Sequence, residues 1–107
     1  MARGQPFSLV YDPEVKEHLR AIEPRYYGLI RSTIEEQLLY EPATETRNRK
    51  PLKRPVVFEA EWELRFGPEN RFRVFSALDF ERREVQILAI GTTRRNRLFI
   101  GEEELEL

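Results

Sequence analysis

The sequence predicts an α+β fold, in which one small antiparallel sheet is covered on one face by a helical hairpin. Two observations predict it: apolar residues recur every three to four positions over residues 15–38, and they alternate with polar residues over 58–66 and 72–78. The first spacing is typical of amphipathic helices, and the second of strands with one buried face. A chain of 107 residues has room for one core, so we expect residues 1–107 to form a single domain.

The first half of the chain predicts one strand followed by two helices. Phe7, Leu9 and Tyr11 alternate with smaller residues, which indicates a short strand. Asp12-Pro13 then starts a helix, because Asp caps an N-terminus and Pro suits the first helical position. Pro24 ends that helix and starts another, which runs to Pro42. The predicted buried residues of the two helices are Val15, Leu19, Ile22, Tyr26, Ile30, Ile34 and Leu38.

The second half predicts a basic loop and then a three-strand meander. Residues 42–55 contain three prolines and no aromatic residue, which is typical of a loop. Strands are predicted over 58–66, 72–78 and 85–90, with Gly67–Asn70 as the turn between the first two. Residues 101–107 form an acidic tail. The predicted element order is therefore β-α-α-β-β-β.

The composition excludes several classes of protein. The absence of cysteine rules out disulfide scaffolds, thiol catalysis and Cys-ligated zinc, and a single His argues against a His-rich metal site. The N-terminus does not resemble a signal peptide, and the chain has no apolar run of about 20 residues, the length needed to cross a bilayer. We therefore expect a cytoplasmic protein that needs no metal or small-molecule cofactor and does not contact a membrane.

The hydrophobic pattern also predicts how the first two meander strands pair. Only a register with Phe66 near Phe72, Leu64 near Val74 and Trp62 near Ser76 keeps the apolar side chains on one face. It follows that two arginines, Arg65 and Arg73, face each other on the open side, where Glu63 faces Phe75. Facing like charges repel, so something must offset them. Two explanations are open: nearby carboxylates such as Glu63 screen the pair, or the pair binds an anion such as phosphate.

Basic segments lie on both sides of this predicted arginine pair in the sequence. The formal net charge is −1, yet residues 47–55 carry five basic side chains and no acidic one. If these clusters meet on the open face, they form a groove for a polyanion, with Phe75 placed to stack on a base. His18 is expected at the surface, and Glu63 is the only candidate general base. The basic residues of these segments are Arg47, Arg49, Lys50, Lys53 and Arg54 in the loop, and Arg71, Arg94, Arg95 and Arg97 later on.

The order of these motifs resembles the RelE/ParE superfamily of bacterial toxin–antitoxin systems. The resemblance covers roughly Phe7 to Ile100, and its most specific parts are the strand F-R-V-F and the strand end I-L-A-I-G followed by arginines. It implies a toxin that a cognate antitoxin neutralises. In the RelE branch, the activity is metal-free cleavage of mRNA on the ribosome by attack of the RNA 2′-hydroxyl on the adjacent phosphate. In the ParE branch, the target is DNA gyrase and no nuclease residues are retained.

The resemblance also implies roles for individual residues. Arg73, Arg65 and either Arg94 or Arg95 fall on the family's basic positions, which stabilise the charge of the phosphorane. Glu63 falls near a lysine position. Phe99 falls near a tyrosine position that takes part in proton transfer, and it has no ionisable group. The residues expected to contact RNA are Lys50, Lys53, Arg54, Arg71, Phe75 and Arg97.

Glu63 and Phe99 differ from the lysine and tyrosine that the resemblance implies at their positions, and this leaves three functions open. The first is a RelE-like ribosome-dependent endoribonuclease. The second is a ParE-like toxin that binds gyrase and needs no proton transfer. The third is a degenerate member that only binds an antitoxin.

Overall fold

The computed structural model describes residues 4–53 and 59–105 and has an α+β fold. Two helices lie against a seven-stranded sheet, and neither described helix is long and apolar enough to cross a membrane. Single 3₁₀ turns occupy Pro24–Tyr26 and Pro68–Asn70. The elements are β1 Ser8–Tyr11, α1 Val15–Arg20, α2 Tyr27–Leu38, β2 Arg49–Pro51, β3 Trp62–Phe66, β4 Phe72–Asp79, β5 Glu84–Arg94, β6 Arg97–Ile100 and β7 Glu103–Leu105.

The sheet is built around the long strand β5. Strands β2 to β7 follow one another in chain order as an antiparallel meander. β1 pairs in parallel with the first four residues of β5, and β6 pairs antiparallel with its last four residues. β4 pairs with nearly the whole length of β5 on its other side, so β5 has neighbouring strands on both sides. Its central position explains why Val85–Ile90 is apolar at almost every position.

The helical hairpin covers one face of the sheet, as the sequence predicts. The side chain of Asp12 accepts a hydrogen bond of 2.9 Å from the backbone N–H of Glu14, and α1 begins one residue later. The 3₁₀ turn at Pro24 then leads directly into α2. The core between helices and sheet contains Val15, Ile22, Ile30, Ile34 and Leu38 from the helical segment, and Leu64, Phe66, Phe72, Val74, Val85, Ile87 and Ile90 from the strands.

The predicted pairing of β3 with β4 is confirmed at every position. Phe66 lies opposite Phe72, and Arg65 lies opposite Arg73. A positive φ of 84° at Gly67 shapes the connection, and a Cβ there would lie 2.5 Å from the Phe72 ring. A larger residue at this position would therefore be strained and would also clash.

The sheet has more strands than the sequence predicts. Three strands are additional: β2 comes from the loop over 42–55, β6 from the residues after the predicted strand 85–90, and β7 from the acidic tail. They have only three or four residues each, and strands this short show no clear periodicity. β3 starts at Trp62 rather than at Phe58, which lies outside the described residues. Glu59 has a φ of 63°, so the chain is not extended at that point.

The face opposite the helices is not open along its whole length. Phe75, predicted as an exposed residue for base stacking, is fully buried. It packs in a second apolar cluster with Ala60, Ala89, Leu98 and Ile100. β6 and the segment that precedes β3 supply part of this cluster, so the prediction for Phe75 is wrong: elements without a clear pattern in the sequence cover that part of the sheet.

His18, predicted at the surface, is buried between α1 and β5. Its Nδ1 accepts a hydrogen bond of 3.3 Å from the backbone N–H of Ile90. An acceptor at Nδ1 requires the neutral ring. Burial lowers the pKa of His18, although the nearby carboxylates of Glu14, Asp12 and Glu17 act in the opposite direction. The polar neighbours of His18 in the sequence misled the prediction, because they lie on the other side of a short helix.

The pH dependence of stability tests this burial. Because the pKa of His18 is lower in the folded chain than its ordinary value of about 6.5, the unfolded chain takes up the proton first as the pH falls. The free energy of unfolding should therefore decrease as the pH falls from about 7 to 5, before most carboxylates titrate. Urea denaturation measures it. In His18→Gln, the free energy of unfolding should change much less with pH over this range, since the chain has no other His. The same pH dependence in the variant and the parent chain would contradict the burial of a neutral ring.

Candidate nucleic-acid interface

The two facing arginines share one buried carboxylate. Oε1 of Glu63 accepts a 2.5 Å hydrogen bond from Nε of Arg65 and lies 3.6 Å from Nη1 of Arg73. Glu63 is only 6% exposed, although its place in an alternating strand predicts a solvated side chain. Pairing of β2 outside β3 is the reason, because it makes β3 an inner strand and places Lys50 opposite Glu63. Of the two explanations for the arginine pair, screening by Glu63 is therefore present in the structure.

The charges in this group do not cancel. Arg73 has a side chain only 14% exposed, and burial lowers its pKa, as does the neighbouring charge of Arg65. The carboxylate of Glu63 offsets part of this effect. A guanidinium nevertheless stays protonated at neutral pH. Two cations and one anion leave one excess positive charge, and Arg65, which is half-exposed, presents it to solvent.

A polar pocket adjoins the exposed side of Arg65. It has a volume of about 350 Å³ and is lined by Arg47, Asn48, Arg65 and Asn70. The amide Nδ2 of Asn48 donates a 2.8 Å hydrogen bond to the carbonyl of Arg65, which ties the start of β2 to β3. Nε of Arg73 lies 3.4 Å from the carbonyl of Asn70. The pocket therefore brings donor groups from three separate segments next to the Arg65–Glu63–Arg73 group.

Sequence reasoning misses the two asparagines of this pocket. The sequence assigns Asn70 only to a turn, and its φ of 54° shows that it adopts a left-handed conformation that asparagine tolerates. Asn48 has no distinguishing pattern. The sequence could have pointed to these two asparagines in one way: once the strand register is known, both lie close to the predicted arginine pair.

Arg94 at the end of β5 and Arg97 at the start of β6 lie on the other face of the sheet. Gly91 pairs with Arg73, and neighbouring residues of a strand point to opposite faces, so Arg94 points away from Arg73. Its guanidinium lies over the Phe99 ring, 4.3 Å from the centroid. Arg97 pairs with Arg94 and forms an ion pair of 3.3 Å with Glu104. The prediction that all basic clusters converge on one face is therefore wrong. Side chains alternate between the two faces of a strand, and Arg94 lies an odd number of residues, three, after Gly91.

Arg71 and Arg95 also lie away from the facing pair. Arg71 stacks over the Tyr26 ring at 5.0 Å and lies 3.5 Å from the carboxylate of Glu23, on the helical side. Arg95 sits in the exposed turn between β5 and β6, with a φ of 52°. Neither side chain joins the group around Glu63.

The basic loop is divided between a structural and a surface role. Arg49 is buried, and its guanidinium donates hydrogen bonds to the carbonyls of Thr44 and Gln37. Lys50 is exposed on the same face as Glu63 and pairs with Glu45 at 3.2 Å. Lys53 is exposed, and Arg54 lies outside the described residues. Lys50 is therefore brought to the face of Arg65 and Arg73, and Arg47 reaches Arg65 through the polar pocket.

All of these arginines nevertheless share one end of the sheet. The turn after β3 and the turn after β5 lie at the same end, because Phe66, Phe72, Thr92 and Phe99 are successive partners across four strands. The backbone N–H of Thr93 also donates to the carbonyl of Arg71, which joins the two turns. The result is a basic end with cations on both faces. Its arginines are Arg25, which lies over the Tyr26 ring as Arg71 does, and Arg47, Arg65, Arg71, Arg73, Arg94, Arg95 and Arg97.

Comparisons with known proteins do not assign this chain to a family. No family model matches this chain, and no curated protein matches it. The side chains of residues 4–53 and 59–105 also include no group of three or more His, Asp or Glu that could hold a metal ion. The chemistry of the basic end therefore rests on its own geometry.

This geometry suits the binding of a phosphodiester group. Arginine holds phosphate through two parallel hydrogen bonds, and Arg65 and Arg73 face each other across adjacent strands. Glu63 is the carboxylate within contact distance of both. Phe99, half-buried on the opposite face, can supply no proton.

Removal of the Glu63 charge should make the arginine pair depend on an external anion. Glu63→Gln leaves two guanidinium groups facing each other without a counter-charge, and we expect a loss of about 1–3 kcal/mol in the free energy of unfolding. Phosphate in the buffer should restore more stability to this variant than to the parent chain, because the anion takes the place of the carboxylate. Thermal unfolding with and without phosphate measures both effects.

Glu81→Gln is the matched control, since Glu81 is exposed in the turn between β4 and β5, away from the basic end. It should change neither the stability nor the response to phosphate. If Glu63→Gln responds to phosphate no more than Glu81→Gln does, the pair does not bind anions.

Proposed function

We propose that this chain is a toxin of the RelE/ParE type that binds the RNA backbone at its basic end and cleaves mRNA on the ribosome. The observation that carries the proposal is the group formed by Arg65, Arg73 and Glu63, with its excess positive charge and the adjoining polar pocket. The proposed setting is the bacterial cytoplasm, where a cognate antitoxin would hold the toxin inactive.

In the proposed reaction, the RNA itself supplies the nucleophile. The 2′-oxygen attacks the adjacent phosphorus, the bond to the 5′-oxygen of the next nucleotide breaks, and a 2′,3′-cyclic phosphate forms. Arg73 is held in place by its burial and would stabilise the negative charge that develops on the phosphoryl oxygens. Arg65 is half-exposed and would bind the incoming phosphate.

Glu63 would accept the proton of the 2′-hydroxyl in this reaction. For this, the phosphate must take over the contacts of Glu63 with the arginines, so that the carboxylate is released towards the sugar. Water would then protonate the leaving 5′-oxygen, because Phe99 has no ionisable group and lies on the other face. A reaction without a positioned acid would be slower than one with it.

A second candidate is a toxin that acts by binding a protein such as DNA gyrase, without cleaving RNA. Two observations favour it. Glu63 already occupies the space between the arginines, and Arg94 points away from them. Neither feature matters for a protein-binding toxin, since that activity needs no proton transfer.

Cleavage of mRNA on translating ribosomes separates the two candidates. The parent chain should cut mRNA in a purified translation reaction, and Arg73→Ala should reduce the rate by about 100- to 1,000-fold, the usual effect of removing one stabilising donor. Arg82→Ala is the matched control, because Arg82 is an exposed arginine in the distant turn after β4. It should leave the rate unchanged.

Intact mRNA together with inhibited gyrase would overturn the nuclease proposal in favour of the second candidate. Cleavage that survives Arg73→Ala would place the active site elsewhere on the chain.

A further inference from the structure

Within the described part of the sheet, one outer edge lacks both charged residues and proline. Outer edges expose unpaired backbone groups, and proteins commonly protect them with charges or proline. Strand β2 contains Lys50 and Pro51, and β7 contains Glu103 and Glu104. Strand β1 has the sequence Ser-Leu-Val-Tyr, and within residues 4–53 and 59–105 it pairs with β5 alone. The N–H of Phe7, just before β1, donates to the carbonyl of Leu39, so the part of this edge that is open to pairing with another strand is residues 9–11.

The hydrogen bonds of β1 show which backbone groups face outward. The N–H groups of Ser8 and Asp12 donate to carbonyls on the β5 side, those of Arg83 and Ile87. In a parallel pair, alternate residues bond to the neighbouring strand, so the backbone groups of Leu9 and Tyr11 point to the free side. They offer two donors and two acceptors to an incoming strand.

Apolar surface accompanies this edge on both faces of the sheet. On the helical face, a groove of about 470 Å³ separates β1 from α2, and its lining is mostly apolar. Tyr11, which lines this groove at the end of the strand, is 43% exposed, and on the opposite face Val10 is 41% exposed. The groove residues are Leu9, Tyr11, Leu19, Tyr27, Ile30, Arg31, Ile34, Glu35 and Ile90.

We propose that β1 pairs antiparallel with β1 of a second copy of this chain. A two-fold axis through Val10 would place Leu9 of each copy opposite Tyr11 of the other. Both residues point their backbone groups outward, so each pair would exchange two hydrogen bonds. Val10 would face Val10 across the axis, which buries two exposed apolar side chains. An interface of this kind is isologous and closes at two copies.

The charges at the ends of the edge favour a second copy over an unrelated peptide. Asp12 and Glu14 follow the end of β1. At its start, the guanidinium of Arg83 donates a 2.6 Å hydrogen bond to the carbonyl of Gln5 and lies over the Phe7 ring. Antiparallel pairing brings the acidic end of one copy to the basic start of the other, twice in each dimer. The edge is therefore complementary to itself in charge as well as in hydrogen bonding.

Cysteine crosslinking tests the register directly. The chain has no cysteine, so Val10→Cys introduces a single thiol. Facing residues at a position without backbone hydrogen bonds have Cα atoms about 4.5 Å apart, which lies within the range of a disulfide. Under mild oxidation, Val10→Cys should give a covalent dimer in high yield. Ser8→Cys and Leu29→Cys should not, because Ser8 would face Asp12 and Leu29 lies on α2.

The mass in solution gives an independent readout. At high protein concentration the chain should have twice the 12.8 kDa mass of a single copy, by light scattering after gel filtration. Val10→Lys places two like charges on the axis and should return the mass to that of one copy, whereas Leu29→Lys should leave the dimer intact.

Three results would overturn the proposal. They are a chain that stays monomeric at every concentration, a dimer that survives Val10→Lys, and crosslinking of Ser8→Cys as efficient as that of Val10→Cys. A monomer that gains mass only when an added peptide binds at β1 would assign the edge to a partner instead. None of these readouts depends on RNA cleavage, so they fail or succeed independently of the proposed activity.

Discussion

Two arginines held face to face on neighbouring strands are the constraint around which this molecule is arranged. The pairing of β3 with β4 puts Arg65 opposite Arg73, and no other register keeps Phe66, Leu64 and Phe72 in the core. The repulsion is thus a consequence of the fold. Glu63 reduces it, and β2 must cover the edge of β3 for Glu63 to be buried beside both cations. The site and the outer strand depend on each other in this way.

The arrangement of charge matters more to function than its total. The chain carries a formal net charge of −1, yet arginines from five segments surround one end of the sheet. Local fields of this kind can attract a polyanion although the whole molecule is slightly acidic. The arginines of the helical face are stacked on aromatic rings or paired with Glu23 and Glu104. Among the described residues, only the Arg65–Glu63–Arg73 group combines burial, an excess charge and an adjoining pocket.

The parts that the sequence predicts are those governed by periodicity. The helical hairpin and the register of β3 with β4 follow from apolar spacing over many residues, so the sequence alone places Arg65 and Arg73 correctly. Phe75 and Arg94 are placed wrongly for a different reason. Coverage of Phe75 comes from segments with no pattern of their own, and the direction of Arg94 depends on its register with Gly91. Long-range contacts of this kind leave no local signal.

The affinity of a short single-stranded RNA, measured at two salt concentrations, tests most directly whether the arginine pair binds phosphate. Binding should weaken as salt rises, and Arg73→Ala should both lower the affinity and reduce the salt dependence, because one phosphate contact is lost. Arg82→Ala should behave like the parent chain. Equal affinity and equal salt dependence for the parent chain and Arg73→Ala would contradict the account, since RNA would then bind without the group around Glu63.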